Sequence, residues 1–396
     1  MMWEGMTVEV GSNIGNTLCY YVAAAAVNFI SGRDFAPSSF HRPAHSNPRG
    51  VVEGKEKDNN VDNKIYNETT SDDKGGGMEG ELVPLPRIVQ NLPPVLKLSK
   101  YAHEAALLGF VAGGALSISP PTNMDWSHDR GILRAMQPVL SDVVATALQP
   151  LIDERPASKK LISNSDIVVH FRCSDVPFLK HPAYHLLTYA WWLQAMRIGI
   201  VELLHTHNYD ASWLEPNSES LDSQSTLPKP QFSVEIISCP SWNVESVDNI
   251  SARKTACGIY STSLARFLET LPGVKTPVDV HCRSPDDDFE VMVRAPLLIG
   301  SGSSMSIIAA HAANWPRIAI VPDTTERILG DAFPSQSRLP LRRGLKILSS
   351  NSYRIPHSKI DNYEETEQVL KLQEHEDLFV DTDGEIIDEL AVAASV

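Results

Sequence analysis

Residues 166–175 read Asp-Ile-Val-Val-His-Phe-Arg-Cys-Ser-Asp, and this stretch decides the fold. Its first half is a short run rich in β-branched residues between polar neighbours, which is typical of a buried strand. From here onward, segments with strand patterns alternate with segments whose apolar residues recur at helical spacing. This alternation predicts an α/β protein with a parallel sheet covered by helices on both faces.

The predicted elements extend outward from that stretch in both directions. Strands are predicted at 166–171, 232–238, 278–282, 297–300 and 318–321. Helices are predicted at 132–152, 186–200, 261–271, 286–295 and 304–314. Near the start, a strand at 6–10, a glycine loop at 11–16 and an alanine-rich helix form one further unit.

Composition divides the chain into three parts. We assign residues 1–160 to an N-terminal domain, 161–345 to a C-terminal domain and 346–396 to a terminal segment with an acidic tail. Residues 46–81 are polar and lack the apolar groups that offset the entropy of ordering, so they predict a flexible insertion in the first domain.

Charge and hydropathy restrict the possible partners. The 396 residues carry a formal charge of −15, which argues against a nucleic-acid surface, although most of this charge lies in the acidic tail. No uncharged run approaches the ~20 residues of a membrane span, and no basic segment typical of a signal peptide precedes the apolar run near the start. The five cysteines are scattered without metal-ligand spacing, so neither a disulfide framework nor a zinc site is predicted.

The end of the first strand carries candidate site residues. The carboxyl end of a strand in an open parallel sheet faces the ligand crevice, and alternate residues point the same way. His170 and Arg172 therefore share one side, and Asp175 follows on the turn. A guanidinium there can donate two hydrogen bonds to phosphate oxygens. The alternative is an Arg–Asp pair that only closes the strand end.

A second candidate lies where the strand at 297–300 leads through Ser301-Gly-Ser303 into a helix. Backbone N–H groups and the dipole at a helix start bind pyrophosphate, and Ser303, Ser304 and Ser306 add hydroxyls. The alternative is a serine-rich helix cap without a ligand.

Two other motifs are weaker. The loop at 11–16 does not match the dinucleotide fingerprint, because its two glycines are four residues apart and no third follows. Asp286, Asp287 and Asp288 suit a helix start without any function, and further ligands for a metal are not apparent.

Taken together, the motifs resemble those of the fucosyltransferase superfamily, most closely the alpha-1,2-fucosyltransferase-like branch and its alpha-1,6- and protein O-fucosyltransferase relatives. The loop Gly11-Ser-Asn-Ile-Gly15-Asn16 is similar to the family's N-terminal glycine loop, and His170-Phe-Arg-Cys-Ser-Asp175 to its HxRxxD donor motif. The segment 287–310 is similar to its third conserved segment, and the three occur in the family's order.

The resemblance implies a GT-B enzyme, in which two Rossmann-like domains face a central cleft. It implies inverting, metal-independent transfer of fucose from GDP-fucose to a glycan or protein hydroxyl, with no cofactor. The N-terminal domain would bind the acceptor and the C-terminal domain the donor. The family members commonly work in the secretory pathway, in the Golgi or the ER.

The resemblance also implies roles for individual residues. Arg172 would hold the β-phosphate and Asp175 would be the motif acid, and these two form the catalytic pair. The implied donor-binding residues are Gly15, Asn16, His170, Arg172, Asp288, Ser303, Ser304 and Ser306.

The chain departs from the family pattern at Cys173, which stands where a second arginine is frequent. This change removes one cation from the phosphate site. A second hypothesis is therefore a catalytically weakened protein that binds a nucleotide sugar or a glycan on the same scaffold. The acceptor, the linkage and the oligomeric state are not predicted by these patterns.

Overall fold

A computed structural model describes eight longer parts of the chain together with several shorter pieces and single positions. The described residues are 14–15, 17–19, 21–22, 25, 45–46, 83–84, 86–92, 130–156, 162–173, 176, 185–207, 230–239, 250–314, 316–323, 341–350, 353–354 and 386–387. The predicted strand at 6–10 and most of the predicted insertion at 46–81 lie outside this part of the chain.

The described strands form one large sheet and one small ladder. The ladder pairs β1 (His45–Ser46) with β2 (Val83–Pro84) in antiparallel fashion. The large sheet contains β3 (Ile167–His170), β4 (Phe232–Ile237), β5 (Val274–His281), β6 (Leu297–Gly300), β7 (Ile318–Pro322), β8 (Leu345–Leu348) and β9 (Ile386–Ile387).

The strand order of the large sheet is β5-β4-β3-β6-β7-β8-β9. The first six strands in this order are parallel, and only β9 runs antiparallel to its neighbour β8. Counting from β3, the parallel strands have the order 3-2-1-4-5-6 of doubly wound nucleotide-binding folds. The order reverses between β3 and β6, whose registers match from Ile167 opposite Leu297 to His170 opposite Gly300.

Seven helices with defined bounds occur among the described residues. They are α1 (Arg87–Gln90), α2 (Arg130–Ala135), α3 (Gln137–Asp153), α4 (Tyr189–Thr206), α5 (Ile250–Glu269), α6 (Pro285–Arg294) and α7 (Ser304–Ala312). Within these ranges, none of the helices combines the length and the apolarity that crossing a membrane requires.

Helices cover both faces of the sheet, because each central strand has apolar residues on both sides. Val168 faces the layer that contains α3, α6 and α7, whereas Val169 faces the layer of α4 and α5. All four residues of β3 and of β6 are buried, which is typical of strands in the middle of a parallel sheet. The predicted α/β class with a parallel sheet is therefore confirmed.

The described residues before 160 join the same core as the sheet. Helical residues Leu18, Tyr21 and Val22 belong to one apolar cluster with α3 and with Phe289 and Ile307 of the sheet-covering helices. Among the described residues before 160, strand structure is confined to the ladder of β1 and β2. The sheet itself continues beyond residue 345, since β8 ends at 348 and β9 comes from the acidic segment.

The prediction that the cysteines form no disulfide framework is wrong. Two disulfides are present, Cys173–Cys257 and Cys239–Cys282, with Cα–Cα distances of 5.6 Å and 5.0 Å. Cys19 is a buried free thiol. The partners are 84 and 43 residues apart in sequence, so spacing does not reveal the pairing. The fold joins Cys173, after β3, to Cys257 in α5, and it joins Cys239 and Cys282, which follow the neighbouring strands β4 and β5.

Candidate functional site

The candidate site lies where β3 and β6 end, at the point where the strand order reverses. In open parallel sheets the chains leave neighbouring strands in opposite directions here and open a crevice for ligands. Hydrogen bonds between the residues at these two strand ends hold them together. The N–H of Ser301 donates to the carbonyl oxygen of His170 at 2.9 Å, which extends the ladder by one residue.

Arg172 lies directly beyond the end of β3, and the backbone around it is fixed. Its N–H donates to the hydroxyl of Ser301 at 2.9 Å, while the N–H of Phe171 donates to Ile237 on the other side. Arg172 itself is half-buried, in contrast to its fully buried neighbours Phe171 and Cys173. The alternation expected from the strand therefore continues, with Arg172 directed away from the apolar layer that contains Phe171 and Cys173.

His170, the last residue of β3, contributes to the site as a neutral group. The imidazole is buried, and its Nδ1 shares a hydrogen bond with the hydroxyl of Ser306. Burial, and after it the positive charge of Arg172, lower the pKa of His170 to about 3. The ring is therefore uncharged near neutral pH, so it suits positioning of Ser306 better than proton transfer.

The start of α7 follows β6 at the same edge of the sheet. Ser303 has extended backbone angles and caps the helix, because its hydroxyl accepts a hydrogen bond from the N–H of Met305 at 3.3 Å. The first N–H groups of a helix have no partner within the helix, and the dipole gives this end partial positive charge. Ser303, Ser304 and Ser306 are all buried, and Ser306 is engaged with His170.

Gly15 brings the N-terminal segment against α7. A Cβ atom at this position would lie 2.5 Å from the backbone nitrogen of Met305 and 2.6 Å from the carbonyl carbon of Ser304. Only a residue without a side chain allows this approach. The structure thus brings together Gly15, Ser304 and the end of β3, which the sequence analysis assigns to one site.

Asp288 occupies the same edge of the sheet but lies toward β4 and β5. Its carboxylate accepts hydrogen bonds from the backbone N–H of Arg283 at 3.2 Å and from the guanidinium of Arg283 at 3.3 Å. The same guanidinium donates to Glu235 at 2.5 Å, and His281 lies 3.7 Å from this second carboxylate. Burial raises the pKa of Asp288 to about 6, although the contacts with Arg283 oppose this shift.

Asp288 is expected to give a measurable pH dependence of stability. Its folded pKa of about 6 lies above the ordinary value of 3.8, so between these values the folded protein binds the proton more tightly than the unfolded chain. The contribution of this group to stability is therefore present at low pH and is lost as the pH rises through 6. Relative to Asp288→Asn, the free energy of unfolding of the wild type should increase by up to about 3 kcal/mol between pH 7 and pH 4.

Urea denaturation of both proteins across this range measures that difference directly. The asparagine variant serves as the reference because its amide does not titrate. A difference that stays constant, or that grows toward neutral pH, would contradict a raised pKa at this position.

The other two acids of the aspartate run have structural partners. Asp286 accepts hydrogen bonds from the backbone N–H groups of Arg87 and Ile88 at 2.8 Å each, so it caps α1. Asp287 accepts one from Arg155 at 2.7 Å. In the described part of the chain, no group of three histidine, cysteine or acidic side chains is arranged to hold a metal ion.

Two predicted site residues, Asp175 and Asn16, lie outside the described residues. Three residues at or near the site are not predicted from the sequence: Ser301, Glu235 and Arg283. The signal for Glu235 is present, since it is the one charged residue in the mostly apolar strand 232–237. Ser301 lies in the quoted loop, but only the paired register shows that its hydroxyl contacts Arg172.

Comparison with known proteins finds no relative of this chain. No protein-family model matches the chain, no curated protein sequence matches it significantly, and no solved structure does. The assignment of function therefore depends on the geometry of the site and on the three sequence motifs.

Proposed function

We propose that this protein is an inverting glycosyltransferase that transfers fucose from GDP-fucose to a hydroxyl group of a glycan or a protein. The observation that carries the proposal is the position of Arg172 beside the start of α7, at the switch point of a doubly wound sheet. A guanidinium and a helix N-terminus both bind phosphate oxygens. Their proximity supports a nucleotide diphosphate as the ligand.

In the proposed reaction an oxygen of the acceptor forms a bond to C1 of fucose while the bond from C1 to the β-phosphate oxygen breaks. Negative charge develops on the departing GDP, and the acceptor hydroxyl releases its proton to water. Arg172 and the first turn of α7 would stabilise that charge without a metal ion. Asp175 is the acid that the motif supplies to the proposed site.

The GT-B arrangement, with a second Rossmann-like domain in residues 1–160, is part of this proposal. The close approach of Gly15 to Ser304 supports contact between the N-terminal segment and the donor site. The two disulfides favour an oxidising compartment, in agreement with the secretory pathway that the family resemblance suggests.

A specific observation favours the second candidate, a nucleotide-sugar or glycan-binding protein without turnover. Cys173 stands where the related motif often has an additional arginine, and its sulfur is bonded to Cys257. Because position 173 is a cysteine, Arg172 is the only arginine of the motif. A single cation is sufficient to bind a diphosphate. It stabilises the negative charge of a departing diphosphate less than two cations would.

Binding of GDP tests both candidates. In thermal denaturation with GDP, UDP and CMP, only GDP should raise the melting temperature. At a free concentration of one hundred times Kd, the free energy of unfolding should increase by about 2.7 kcal/mol. A GDP-release assay with GDP-fucose and a panel of glycan and protein acceptors then separates the candidates. GDP binding without release on any acceptor favours the binding protein, and absence of GDP binding contradicts both.

A further inference from the structure

The Cys173–Cys257 disulfide begins one residue after Arg172. Both of its cysteines are fully buried, and their Cα atoms are 5.6 Å apart. Cys173 also starts a turn, because its carbonyl oxygen accepts a hydrogen bond from the N–H of Val176 at 2.7 Å. The bond therefore attaches the point at which the chain turns away from the site to helix α5.

The residue before Arg172 is attached to the same helix. The ring of Phe171 packs against Tyr260, with 4.3 Å between the ring centroids. The hydroxyl of Tyr260 is fixed in turn, because it donates to the carbonyl oxygen of Leu187 at 2.7 Å. Cys257 and Tyr260 are three residues apart on α5, so they lie on the same face of this helix.

These contacts determine the direction of the Arg172 side chain. Phe171 and Cys173 both point into the apolar layer of α4 and α5. Side chains alternate along an extended chain, so Arg172 must point to the opposite side, where His170 meets Ser306. Loss of the anchor at Cys173 would leave the contacts of Phe171 and the hydrogen bond from the N–H of Arg172 to Ser301 to keep this alternation beyond the end of β3.

We propose that Cys173 and Cys257 are positioning residues, whose disulfide holds the guanidinium of Arg172 in register with the start of α7. This inference rests on the proposed function in so far as Arg172 binds the terminal phosphate of a nucleotide diphosphate. It also explains why a buried disulfide occupies the place of a second cation in the motif. The disulfide at position 173 makes the remaining arginine more rigid. Rigid placement of a binding group increases its contribution to ligand binding.

The test compares two double variants that each remove one disulfide. Cys173→Ser/Cys257→Ser removes the proposed anchor, and Cys239→Ser/Cys282→Ser removes a disulfide that follows β4 and β5 and is attached to neither β3 nor α5. Isothermal titration calorimetry without reductant gives Kd for GDP and for GMP. Because GMP lacks the β-phosphate, the ratio of the two constants reports the contact of Arg172.

The first variant should lose about tenfold or more of the preference for GDP over GMP. The second variant should keep the wild-type ratio, even if its melting temperature falls. An unchanged ratio in the first variant, or an equal loss in both variants, overturns the proposal. If the first variant does not fold, the same ratio is measured on wild-type protein reduced with a phosphine and after reoxidation, and the loss must reverse.

Hydrogen exchange separates failure of this inference from failure of the proposed function. If wild-type protein binds neither nucleotide, the proposed function is wrong, but the anchor still predicts faster exchange in residues 167–173 of the first variant only. The amide of Arg172 is the relevant probe, since it donates to Ser301. Exchange that matches the wild type in this segment overturns the positioning role.

Discussion

Replacement of Arg172 by alanine is expected to reduce the rate of the proposed fucose transfer by about 10²–10³-fold, the usual effect of removing one preorganised donor from a developing anion. The backbone N–H of Arg172, which donates to Ser301, is retained in this variant. The fold should therefore persist, with a melting temperature close to that of the wild type. Initial rates of GDP release, together with calorimetric Kd values for GDP, measure the two effects separately.

The matched control is Arg197→Ala on α4, since Arg197 is an exposed arginine away from the switch point. It should leave GDP affinity and turnover unchanged. Arg172→Lys should fail nearly as badly as the alanine variant, because an ammonium group cannot donate two parallel hydrogen bonds to one phosphate. Wild-type GDP affinity and turnover in Arg172→Ala would remove this residue from the site.

Gly15→Ala is the second change with a large expected effect. The new methyl group would lie 2.5 Å from the nitrogen of Met305 and 2.6 Å from the carbonyl carbon of Ser304, and both are backbone atoms that cannot move without shifting the start of α7. Overpacking of this kind costs typically 1–3 kcal/mol. We expect a lower free energy of unfolding by this amount and, because the shift affects the end of α7 that is proposed to bind phosphate, weaker binding of GDP.

Gly258→Ala provides the control within the same chain. A Cβ atom at Gly258 meets nothing within 4 Å, and the residue is exposed in the interior of α5. Alanine there should stabilise the protein by about 0.5–1 kcal/mol, because glycine has a low helix propensity. Denaturant unfolding of both variants measures the contrast. Equal effects at the two positions would show that the N-terminal segment does not pack against α7.

Much of the sheet can be predicted from sequence because its central strands are buried on both faces. The predicted strand at 297–300 is confirmed with the same bounds, and the helix predicted from 304 begins at Ser304. The predicted helix at 132–152 is confirmed as α2 and α3, which meet at Met136. In each case a continuous apolar run, or an apolar stripe at helical spacing, carries the signal.

The edges of the fold give a weaker signal. Helix α5 begins at Ile250 instead of Ser261, because residues 251–255 are mostly polar in sequence and give no apolar stripe at helical spacing. Strand β5 begins at Val274 instead of Val278, since an edge strand with exposed side chains lacks the alternation that marks a half-buried strand.

The candidate site is predictable to the extent that it follows from topology. Arg172 and Ser303 both come directly after buried parallel strands, so their shared edge can be predicted from their places in the sequence. That β3 and β6 are direct neighbours, and that Ser301 therefore reaches the backbone of Arg172, follows only from the strand order. The pairing of Cys173 with Cys257 depends on long-range packing, which spacing does not encode.

The small ladder of β1 and β2 brings together two residues that are distant in sequence. Because Ser46 is paired with Val83, the two ends of the intervening sequence lie side by side. Each doubling of length between such fixed ends costs only about 0.6 kcal/mol. Sequence can therefore be added, exchanged or excised between these two residues without altering the register of the strands that hold Arg172, which makes this the natural place to graft a tag or a foreign module.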